Sequence, residues 1–438
     1  MAGKTISRND AWDILFERLC ILDRYREEGS FLISADTIKT VKEPRLMTKF
    51  DNSTQLPPVF AENGLTILPV TRGDYVISDF KIFDPFPRTA IEDIEYKAIP
   101  QYIESLDFSK ITSEANAIAC AYLADMIADF SGDEGLVPTV SGRMGSGDFD
   151  FYIERNEHPD GMYVSVKGSQ IEIDGGYEGR ESLILFEAKN CISSDFLVRQ
   201  LYYPFRKWTA EISKPVRTVF LVYSNGIWHM REYCFEEPAN YSSIRFVREK
   251  RYRLLESESV TPDVIRDVAL STPVLPEPNV PFPQADSIER VINFCELLFN
   301  NESGYTKADL GDESEFTLQD SFTHRQVDYY TNAALYLGLV EKVKIDGETA
   351  FVLSREGKRI FSLKSIVKRQ VELIKSLARH RVYSVLLQEM ILSGQIPDRF
   401  RVITVMKESG LRNLGTEGMY IRRSGTVRSW LRWVRSLY

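Results

Sequence analysis

Two carboxylates and an ammonium group follow two short β-rich runs in the middle of the chain. Asp174 ends the run QIEID. Glu187, thirteen residues after Asp174, and Lys189 flank Ala188 at the end of the apolar run LILFEAK. Because residues i and i+2 of a strand point to the same face, Glu187 and Lys189 project together. A hairpin between the two runs, across the turn GGYEGRES, brings Asp174 beside Glu187.

These side chains suit the hydrolysis of a phosphodiester bond. Mg²⁺ is commonly bound through one or two carboxylates together with waters and substrate phosphate oxygens. A metal ion held by Asp174 and Glu187 would lower the pKa of a bound water and stabilise the charge on the attacked phosphorus. Lys189 would orient or activate that water. The sequence therefore predicts a Mg²⁺ site at Asp174 and Glu187.

Other acidic residues nearby remain open as ligands. Asp148 and Asp150, in GSGDFDF, lie 39 and 37 residues before Glu187 and are the alternatives to Asp174. Glu172 is two residues from Asp174 on the same strand face and is expected to assist it. Motifs of other chemistries are missing, since the four histidines are widely spaced and the chain has no HExxH, GxSxG, GxGxxG or GxxxxGK[ST].

Helices are predicted around these runs. Apolar residues recur at spacings of three and four over 8–27. Residues 113–130 have an apolar face with Ser113 as a plausible N-cap, and a further helix is expected over 194–212. The apolar run TVFLVYS after the last of these segments indicates another buried strand. The expected fold class is α/β, with a mixed sheet flanked by helices.

The order of these signals resembles the PD-(D/E)xK nuclease superfamily, in which an acidic residue, a spacer and then E-x-K follow one another. Ile173-Asp174 stands where that superfamily has Pro-Asp. The resemblance covers roughly residues 110–235. It implies a restriction-endonuclease-like core, with Asp174 and Glu187 as metal ligands and Lys189 positioning the water.

The resemblance also implies roles for the two helices beside the strands. Glu114 matches a further acidic residue near the metal, and Gln200 matches a polar residue near the scissile phosphate. Arg199, Arg206 and Lys207 surround Gln200 with cations and are expected to contact DNA. Two alternatives stay open: that Glu114 only favours the N-terminus of its helix electrostatically, and that the aromatic residues of the second helix belong to the core.

Charge is unevenly distributed along the 438 residues. The net charge of −9 argues, by itself, against a nucleic-acid-binding protein. From Arg355 to Tyr438, however, 18 Lys and Arg against six Asp and Glu give +12, so the first 354 residues carry −21. A basic module attached to an acidic body is one way to hold a polyanion, and a solvated basic helix face is the alternative.

The basic end follows a pattern of two DNA-binding-like modules. SIERVINFCELLFN and THRQVDYYTNAALYLG indicate two helices, and a hairpin with its turn at Asp346-Gly347 follows, which is the element order of a winged helix. The last helix carries arginines, three of them on one face, with Trp430 and Trp433 between them. Its candidate DNA contacts are Arg422, Arg423, Arg428, Arg432 and Arg435. These arginines could contact DNA phosphates or hydrogen-bond to base edges, and both alternatives stay open.

These patterns predict five segments. They are an N-terminal mixed α/β segment that could contact DNA (1–100), a PD-(D/E)xK nuclease core (101–260), a Pro-rich linker (261–284), a winged-helix-like domain (285–362) and a basic helical DNA-binding module (363–438).

The expected function is that of a Mg²⁺-dependent, sequence-specific endonuclease of double-stranded DNA, a type II restriction enzyme. The resemblance implies 5′-phosphate and 3′-hydroxyl ends, a homodimer or a transient dimer on DNA, and a cognate DNA methyltransferase in the same system. Two alternatives are a repair, recombination or modification-dependent nuclease of the same fold, and a non-catalytic winged-helix DNA-binding regulator.

A cytoplasmic location is also expected. No run approaches the ~20 consecutive apolar residues of a membrane-spanning helix, and MAGKTISRNDAWDILF lacks the apolar core of a signal peptide. The five cysteines form no CxxC motif and are odd in number, which is typical of reduced thiols rather than a disulfide framework.

Overall fold

A computed structural model describes residues 6–87, 94–100, 102–108, 110–301, 303–306, 310, 325–345, 347–412 and 414–438, with the backbone alone at residues 325 and 326. The chain divides into two compact units. The first comprises the described residues up to Leu106 together with Thr112–Leu254. The second comprises the described residues of Asp107–Ile111, Leu255–Gly311 and Thr323–Tyr438.

The first unit is a mixed α/β structure, as the sequence predicts for the fold class. Its helices are α1 (Arg8–Arg18), α2 (Ile21–Glu28), α3 (Ala35–Lys39), α4 (Pro44–Thr48), α5 (Pro58–Glu62), α6 (Glu114–Leu123), α7 (Met126–Ser131) and α8 (Arg199–Glu211). Its strands are β1 (Phe31–Ser34), β2 (Thr66–Pro69), β3 (Asp74–Ser78), β4 (Phe83–Pro85), β5 (Ile94–Lys97), β6 (Val137–Gly145), β7 (Asp148–Ile153), β8 (Met162–Lys167), β9 (Gln170–Glu178), β10 (Leu183–Lys189), β11 (Asp195–Leu197), β12 (Val216–Ser224), β13 (Ile227–Phe235) and β14 (Ile244–Leu254).

A mixed sheet of order β5-β14-β13-β12-β10-β9-β6 forms the centre of this unit. Strands β9 and β10 are antiparallel, as the turn between them predicts, whereas β10 and β12 are parallel. Parallel neighbours need a crossover connection, and the segment that contains α8 supplies it. Strand β10 is buried along its whole length, which agrees with its continuous apolar run.

Helices α6 and α8 cover opposite faces of β9 and β10. Phe186 packs edge-on against Tyr177, and Tyr177 stacks on Tyr122 of α6. Leu185, whose side chain alternates with that of Phe186, belongs to the same apolar cluster as Leu201 of α8. Glu187 and Lys189 share the face of Leu185, so they are directed towards the side of the sheet on which α8 lies.

The N-terminal helices surround a second apolar cluster. Trp12 is fully buried, donates a hydrogen bond from Nε1 to the carbonyl of Met47 at 2.9 Å, and packs edge-on against Phe60. The single helix predicted over 8–27 is wrong, because Cys20 adopts a left-handed φ of 51° and separates α1 from α2. The change of direction lets both helices turn their apolar residues to the same cluster.

The two helices predicted beside β9 and β10 are also shorter than the sequence indicates. Ser113 caps α6 as predicted by accepting a hydrogen bond from the N–H of Asn116 at 3.1 Å. Asp125 then adopts a φ of 55° and separates α6 from α7. The segment predicted as a helix over 194–212 begins with strand β11, and α8 starts at Arg199.

The second unit is mainly helical. Its helices are α9 (Pro262–Ser271), α10 (Ile288–Asn300), α11 (Arg325–Tyr336), α12 (Arg355–Phe361), α13 (Ile366–Ala378), α14 (Arg381–Ser393), α15 (Arg399–Glu408) and α16 (Glu417–Arg435). Its strands are β15 (Tyr305–Thr306), β16 (Val340–Ile345) and β17 (Glu348–Leu353), in the order β15-β17-β16. The predicted hairpin forms between β16 and β17; of its predicted turn, Gly347 has a φ of 86° and Asp346 lies outside the described residues.

The Pro-rich segment 261–284 is not simply a linker, because it contains α9. Thr261 caps this helix by accepting a hydrogen bond from the N–H of Val264 at 3.3 Å. Pro262 occupies the first turn, where a backbone N–H would have no acceptor within the helix, so the missing N–H of proline costs nothing. Ile265 and Val268 are buried, and α9 packs against α13 and α14. The prolines therefore start a helix and flank it.

No helix in the described parts of the chain combines the length and the apolar character that crossing a bilayer requires.

A buried aspartate joins the turn before β10 to the segment after α7, and its replacement tests the fold. Asp133 accepts hydrogen bonds from the N–H groups of Glu134, Glu181 and Ser182 at 2.8 to 3.1 Å, and from the Ser182 hydroxyl at 3.0 Å. An amide cannot accept them all, so we expect Asp133→Asn to lower the opening free energy of β9 and β10 by about 2 kcal/mol. Hydrogen exchange of their amides measures it.

The pH dependence of this effect has a definite sign. Burial raises the pKa of Asp133, but the hydrogen bonds outweigh burial and hold its pKa below the ordinary value of 3.8. The contribution of Asp133 is therefore present above about pH 4 and is lost as the pH falls through the lowered pKa. Asp160→Asn, at an exposed turn, is the control; an equal effect of both substitutions would contradict the assignment.

Candidate functional site

The middle of β9 and the end of β10 bring the three predicted catalytic residues together. Asp174 does not end its strand as the sequence predicts, because β9 continues through Gly175–Glu178, which were expected to belong to the turn. Phe186 pairs with Gly175, so Asp174 lies opposite Glu187. The Asp174 carboxylate accepts a hydrogen bond from the N–H of Ala188 at 2.8 Å, which ties it to the strand that carries Glu187 and Lys189. The pairing of β6 with β9 shifts register opposite this stretch, between Val140 and Gly142.

Glu187 and Lys189 form a buried ion pair. The Lys189 Nζ lies 2.6 Å from Glu187 Oε1 and also donates to the carbonyl of Ala188 at 3.2 Å. The two residues are 6% and 8% exposed. Their geometry follows from the i, i+2 spacing on one strand face, as the sequence predicts.

Gln200 and Glu114 approach this pair from the two helices. Gln200, in the first turn of α8, donates a hydrogen bond from Nε2 to Glu187 Oε1 at 2.5 Å. Its own Oε1 is buried without a hydrogen-bond partner among the described residues. Glu114, the first residue of α6, lies 3.5 Å from Lys189 Nζ through its Oε1. Both residues therefore lie in contact with the pair formed by Glu187 and Lys189.

Asp51 is part of the same cluster, and sequence reasoning missed it. Its Oδ1 accepts a hydrogen bond at 3.0 Å from Nε2 of Gln200, a residue 149 positions away in the chain. Asp51 belongs to the short loop after α4 and is 9% exposed. It stands in KFDN, where neither spacing nor periodicity marks it, so no signal in one sequence could have identified it.

The other acidic candidates lie apart from the buried pair. Asp148 and Asp150 are exposed on the separate two-stranded sheet β7–β8, where Asp150 accepts a hydrogen bond from the hydroxyl of Ser165 at 2.5 Å. Glu172 is ion-paired with Arg143 at 3.2 Å, and it lines a small pocket together with Glu187 and Gln200. Asp174 is therefore the better placed of the alternatives.

The cluster carries an excess of negative charge. Burial, followed by the neighbouring carboxylates of Asp174 and Asp51, raises the pKa of Glu187 to about 8 against the lowering effect of Lys189. Burial likewise raises the pKa of Asp174. For Lys189, burial alone would lower the pKa, but the carboxylates, Glu187 first, hold it well above its ordinary value. Lys189 is therefore an ammonium.

The donor set fits a Mg²⁺ ion bound partly by protein and partly by substrate. The described residues contain no group of three or more His, Cys, Asp or Glu side chains placed to hold a metal by themselves. Asp174 and Glu187 supply two carboxylates whose pKa values are raised chiefly by burial, so a bound cation would favour their ionised forms. Mg²⁺ needs one or two such ligands and takes the rest from water and phosphate oxygens.

The cations predicted beside Gln200 are largely engaged within the protein. Arg206 donates to the Asp150 carbonyl and to the hydroxyl of Tyr202, both at 2.9 Å. Lys207 is paired with Glu211 at 2.6 Å, and Arg199 lies over the ring of Tyr203 at 5.7 Å. The aromatic residues Tyr202 and Tyr203 are fully buried, as the alternative interpretation of this helix held.

The arginines of α16 divide into exposed and engaged residues. Arg422, Arg432 and Arg435 are exposed, whereas Arg428 is half-buried and donates to the carbonyl of Pro397 at 3.2 Å. Arg423 is 9% exposed, so its assignment to a DNA-contacting surface is wrong in this conformation; burial also lowers the pKa of its guanidinium. The residue faces inwards because it shares the apolar side of the helix with Val427, Trp430 and Val434.

Comparison with known proteins yields three partial family matches. Residues 9–77, 78–253 and 290–438 match families described as "Domain of unknown function (DUF6996)", "Domain of unknown function (DUF6997)" and "Domain of unknown function (DUF7226)", respectively. No curated protein and no solved structure matches the chain. The cluster around Glu187 thus draws residues from two of these families, because Asp51 lies in the first match and the others in the second.

The raised pKa of Glu187 predicts a pH-dependent effect of Glu187→Gln on the metal-free protein. Wild-type Glu187 favours folding in its protonated form, so this contribution is complete below the ordinary pKa of 4.5 and is lost as the pH rises to about 8. The variant does not titrate. Its stability relative to the wild type should therefore increase by roughly 1 kcal/mol per pH unit between pH 5 and 8.

Urea unfolding of both proteins at several pH values, in the presence of EDTA, measures this difference. Glu172→Gln is the control, since Glu172 is exposed and its substitution should change stability little at any pH. A difference between Glu187→Gln and the wild type that stays constant from pH 5 to pH 8 would contradict the electrostatic description of the site.

Proposed function

We propose that this protein is a Mg²⁺-dependent DNA endonuclease. The observation that carries the proposal is the convergence of Asp174, in the middle of β9, with Glu187 and Lys189, at the end of the adjacent strand β10, and the hydrogen bond from Gln200 to Glu187. An apolar sheet has no structural need for such a cluster, because burying unbalanced charge costs free energy. Groups of this kind, in which burial and neighbouring charges perturb the pKa values, concentrate at functional sites.

The element order gives independent support. Helix α6, strands β6, β9 and β10, helix α8 and strand β12 occur in this order along the chain, with α7, β7, β8 and β11 between them. The four strands are neighbours in the sheet in the order β6-β9-β10-β12, and β10 and β12 are parallel. We infer from this agreement with the resemblance that the first unit has a restriction-endonuclease-like core.

The residues of the site divide the chemistry between them. A Mg²⁺ ion bound by Asp174 and Glu187 would supply an activated water and charge stabilisation at the phosphorus. Lys189, as an ammonium, can donate hydrogen bonds to the attacked phosphate but cannot take up a proton. Its role is therefore to orient the water and to neutralise charge. Gln200 holds Glu187 in place by donating an amide N–H to its carboxylate.

We further propose that the second unit holds DNA. Among the described residues the order is α10, β15, α11, β16, β17, with β17 between the other two strands, and this order is similar to that of a winged helix. Residues 355–438 carry a net charge of +12, and Arg422, Arg432 and Arg435 of α16 are exposed. Phosphate contacts of this kind position a protein on DNA, and a bidentate arginine can also read guanine.

The biological setting that fits best is restriction. A type II restriction enzyme needs a site-specific cut in both strands, which a homodimer or a transient dimer on DNA would provide, and a cognate methyltransferase that protects the host. The expected products carry 5′-phosphate and 3′-hydroxyl ends, and the enzyme would act in the cytoplasm. Repair, recombination or modification-dependent cleavage by the same site is the alternative.

Cleavage of DNA tests the proposed activity directly. Purified protein should cut mixed plasmid and phage DNA into discrete fragments with Mg²⁺ and should be inactive with EDTA. Because Lys189 and Asp174 are required for charge neutralisation and metal binding, Lys189→Ala and Asp174→Asn should each lower the rate by about 100-fold or more. Gel electrophoresis of timed digests measures the rates.

Matched controls keep the test specific. Lys81→Ala and Asp160→Asn remove the same charges at exposed positions of the first unit and should leave cleavage unchanged. Full activity of both site variants would refute the assignment of the site. Cutting confined to methylated, branched or nicked DNA would favour the alternative nuclease functions, and salt-sensitive DNA binding without metal-dependent cutting would favour a non-catalytic regulator.

Salt dependence tests the role of α16. Arg432 and Arg435 are exposed neighbours on one helix face, so the double variant Arg432→Gln/Arg435→Gln should reduce the slope of log K against log salt by about 2. Fluorescence anisotropy with a short duplex measures the slope in Ca²⁺ or EDTA. Arg401→Gln is the control, because this arginine is already paired with Glu389. Equal slopes for the wild type and the double variant would exclude these residues from the DNA contact.

A further inference from the structure

We infer that Asp51 is a positioning residue of the candidate active site, because it fixes the Gln200 amide against Glu187. The N-terminal segment (residues 9–77) thereby completes a site built mainly by the central segment (residues 78–253). The importance of the contact for catalysis rests on the proposed nuclease function. The existence of the contact does not, and the two can be tested separately.

The backbone of Asp51 is fixed on both sides. The carbonyl of Asp51 accepts a hydrogen bond from the N–H of Leu197 at 2.9 Å, and the N–H of Asp51 donates to Oε1 of Gln55 at 2.6 Å. Leu197 is the last residue of β11, immediately before the helix that carries Gln200. With both backbone groups bonded, the carboxylate of Asp51 has a defined direction relative to α8.

Further bonds attach the same loop to β11. The Ser53 N–H donates to Oδ1 of Asp195 at 2.9 Å, and the Ser53 hydroxyl donates to Oδ2 of the same carboxylate. Arg8, from α1, donates to the carbonyl of Gln55 at 2.9 Å. The loop is thus anchored to the central segment at one end and to the N-terminal helices at the other, which makes it a rigid support.

The contact itself joins two carboxylates through one amide group. Nε2 of Gln200 donates to Oδ1 of Asp51 at 3.0 Å and to Oε1 of Glu187 at 2.5 Å. An amide nitrogen has two N–H groups, so this arrangement satisfies both and determines which end of the amide faces Glu187. Without the acceptor on Asp51, the Gln200 side chain would be free to rotate, and Glu187 would lose a fixed donor.

A purely structural role does not explain the charge of Asp51. A buried carboxylate beside Asp174 and Glu187 adds like-charge repulsion, and a neutral acceptor would hold the Gln200 amide at lower cost. The ammonium of Lys189 attracts Asp51 but is shared with the carboxylates of Glu187, Glu114 and Asp174, and Lys49 is half-exposed and 3.9 Å from Asp51, so a net negative charge remains. A negative charge at this position is useful if the site is to hold a divalent cation.

Two variants separate the hydrogen bond from the charge. Asp51→Asn keeps an acceptor oxygen for Gln200 and removes the charge, whereas Asp51→Ala removes both. Asp36→Asn makes the same charge change at an exposed position of the N-terminal segment and is the control. Asp51→Asn also keeps the test valid if Asp51→Ala does not fold, which a thermal unfolding curve will reveal.

The first readout does not depend on activity. The full chain is labelled with ¹⁵N-glutamine, and the side-chain amide resonance of Gln200 is assigned by its loss in Gln200→Asn. In the wild type, the two carboxylate acceptors should shift the amide protons downfield. Asp51→Ala should move one of them upfield, Asp51→Asn should move it part of the way, and the control should leave it in place. An unchanged resonance in both Asp51 variants would overturn the inference.

The second readout is the kinetics of DNA cleavage. Loss of a positioning contact should lower kcat by about 10- to 100-fold in Asp51→Ala and less in Asp51→Asn, while KM for DNA changes little. A shifted resonance with kcat within about twofold of the wild type would overturn the positioning role in catalysis. If the wild type cuts no DNA, the nuclease proposal fails, whereas the resonance still decides whether the contact exists.

Discussion

The arrangement of the first unit depends on the burial of one ion pair at the end of an apolar strand. Lys189 and Glu187 lie 2.6 Å apart on a strand whose every residue is buried. A buried ion pair is tolerated only if its remaining donors and acceptors are also bonded. The Ala188 carbonyl and the Gln200 amide provide these bonds, so the start of α8 must lie against the end of β10. The crossover that makes β10 and β12 parallel brings α8 to this position.

The ion pair remains electrically unbalanced, and this imbalance gives the site its chemistry. The carboxylates of Glu187, Asp51, Glu114 and Asp174 all act on the ammonium of Lys189. Burial, together with repulsion from Asp174 and Asp51, raises the pKa of Glu187 to about 8. Attraction to the carboxylates keeps Lys189 protonated. The repulsion lowers the stability of the fold at the place where a cation could bind. Such a trade-off between stability and function is common at functional sites. A divalent ion would relieve the repulsion that the fold imposes.

Local signals in the sequence were sufficient for the centre of the site. The spacing of Glu187 and Lys189 on a strand, the turn that returns Asp174 and the cap at Ser113 are all short-range features, and the structure has each of them. Features set by tertiary contacts were not predictable. Cys20 and Asp125 interrupt helical patterns with left-handed backbone, and Arg423 is buried by the packing of α16. Asp51 and Gln200 are in contact although 149 positions separate them in the chain, and no periodic pattern in the sequence indicates such a contact.

The division of charge along the chain follows from the same electrostatics. An acidic site repels the phosphates of a polyanion, and salt screens any attraction beyond about 8 to 10 Å at physiological ionic strength. Affinity for DNA must then come from cations placed elsewhere, and residues 355–438 carry the net charge of +12 that could supply it. The total of −9 therefore says little about binding, because it is the sum of −21 for the first 354 residues and +12 for the rest. On this reasoning, weakening the basic helix α16 should change where and how tightly DNA is held, whereas changing the Asp51–Gln200–Glu187 contact should alter the chemistry alone.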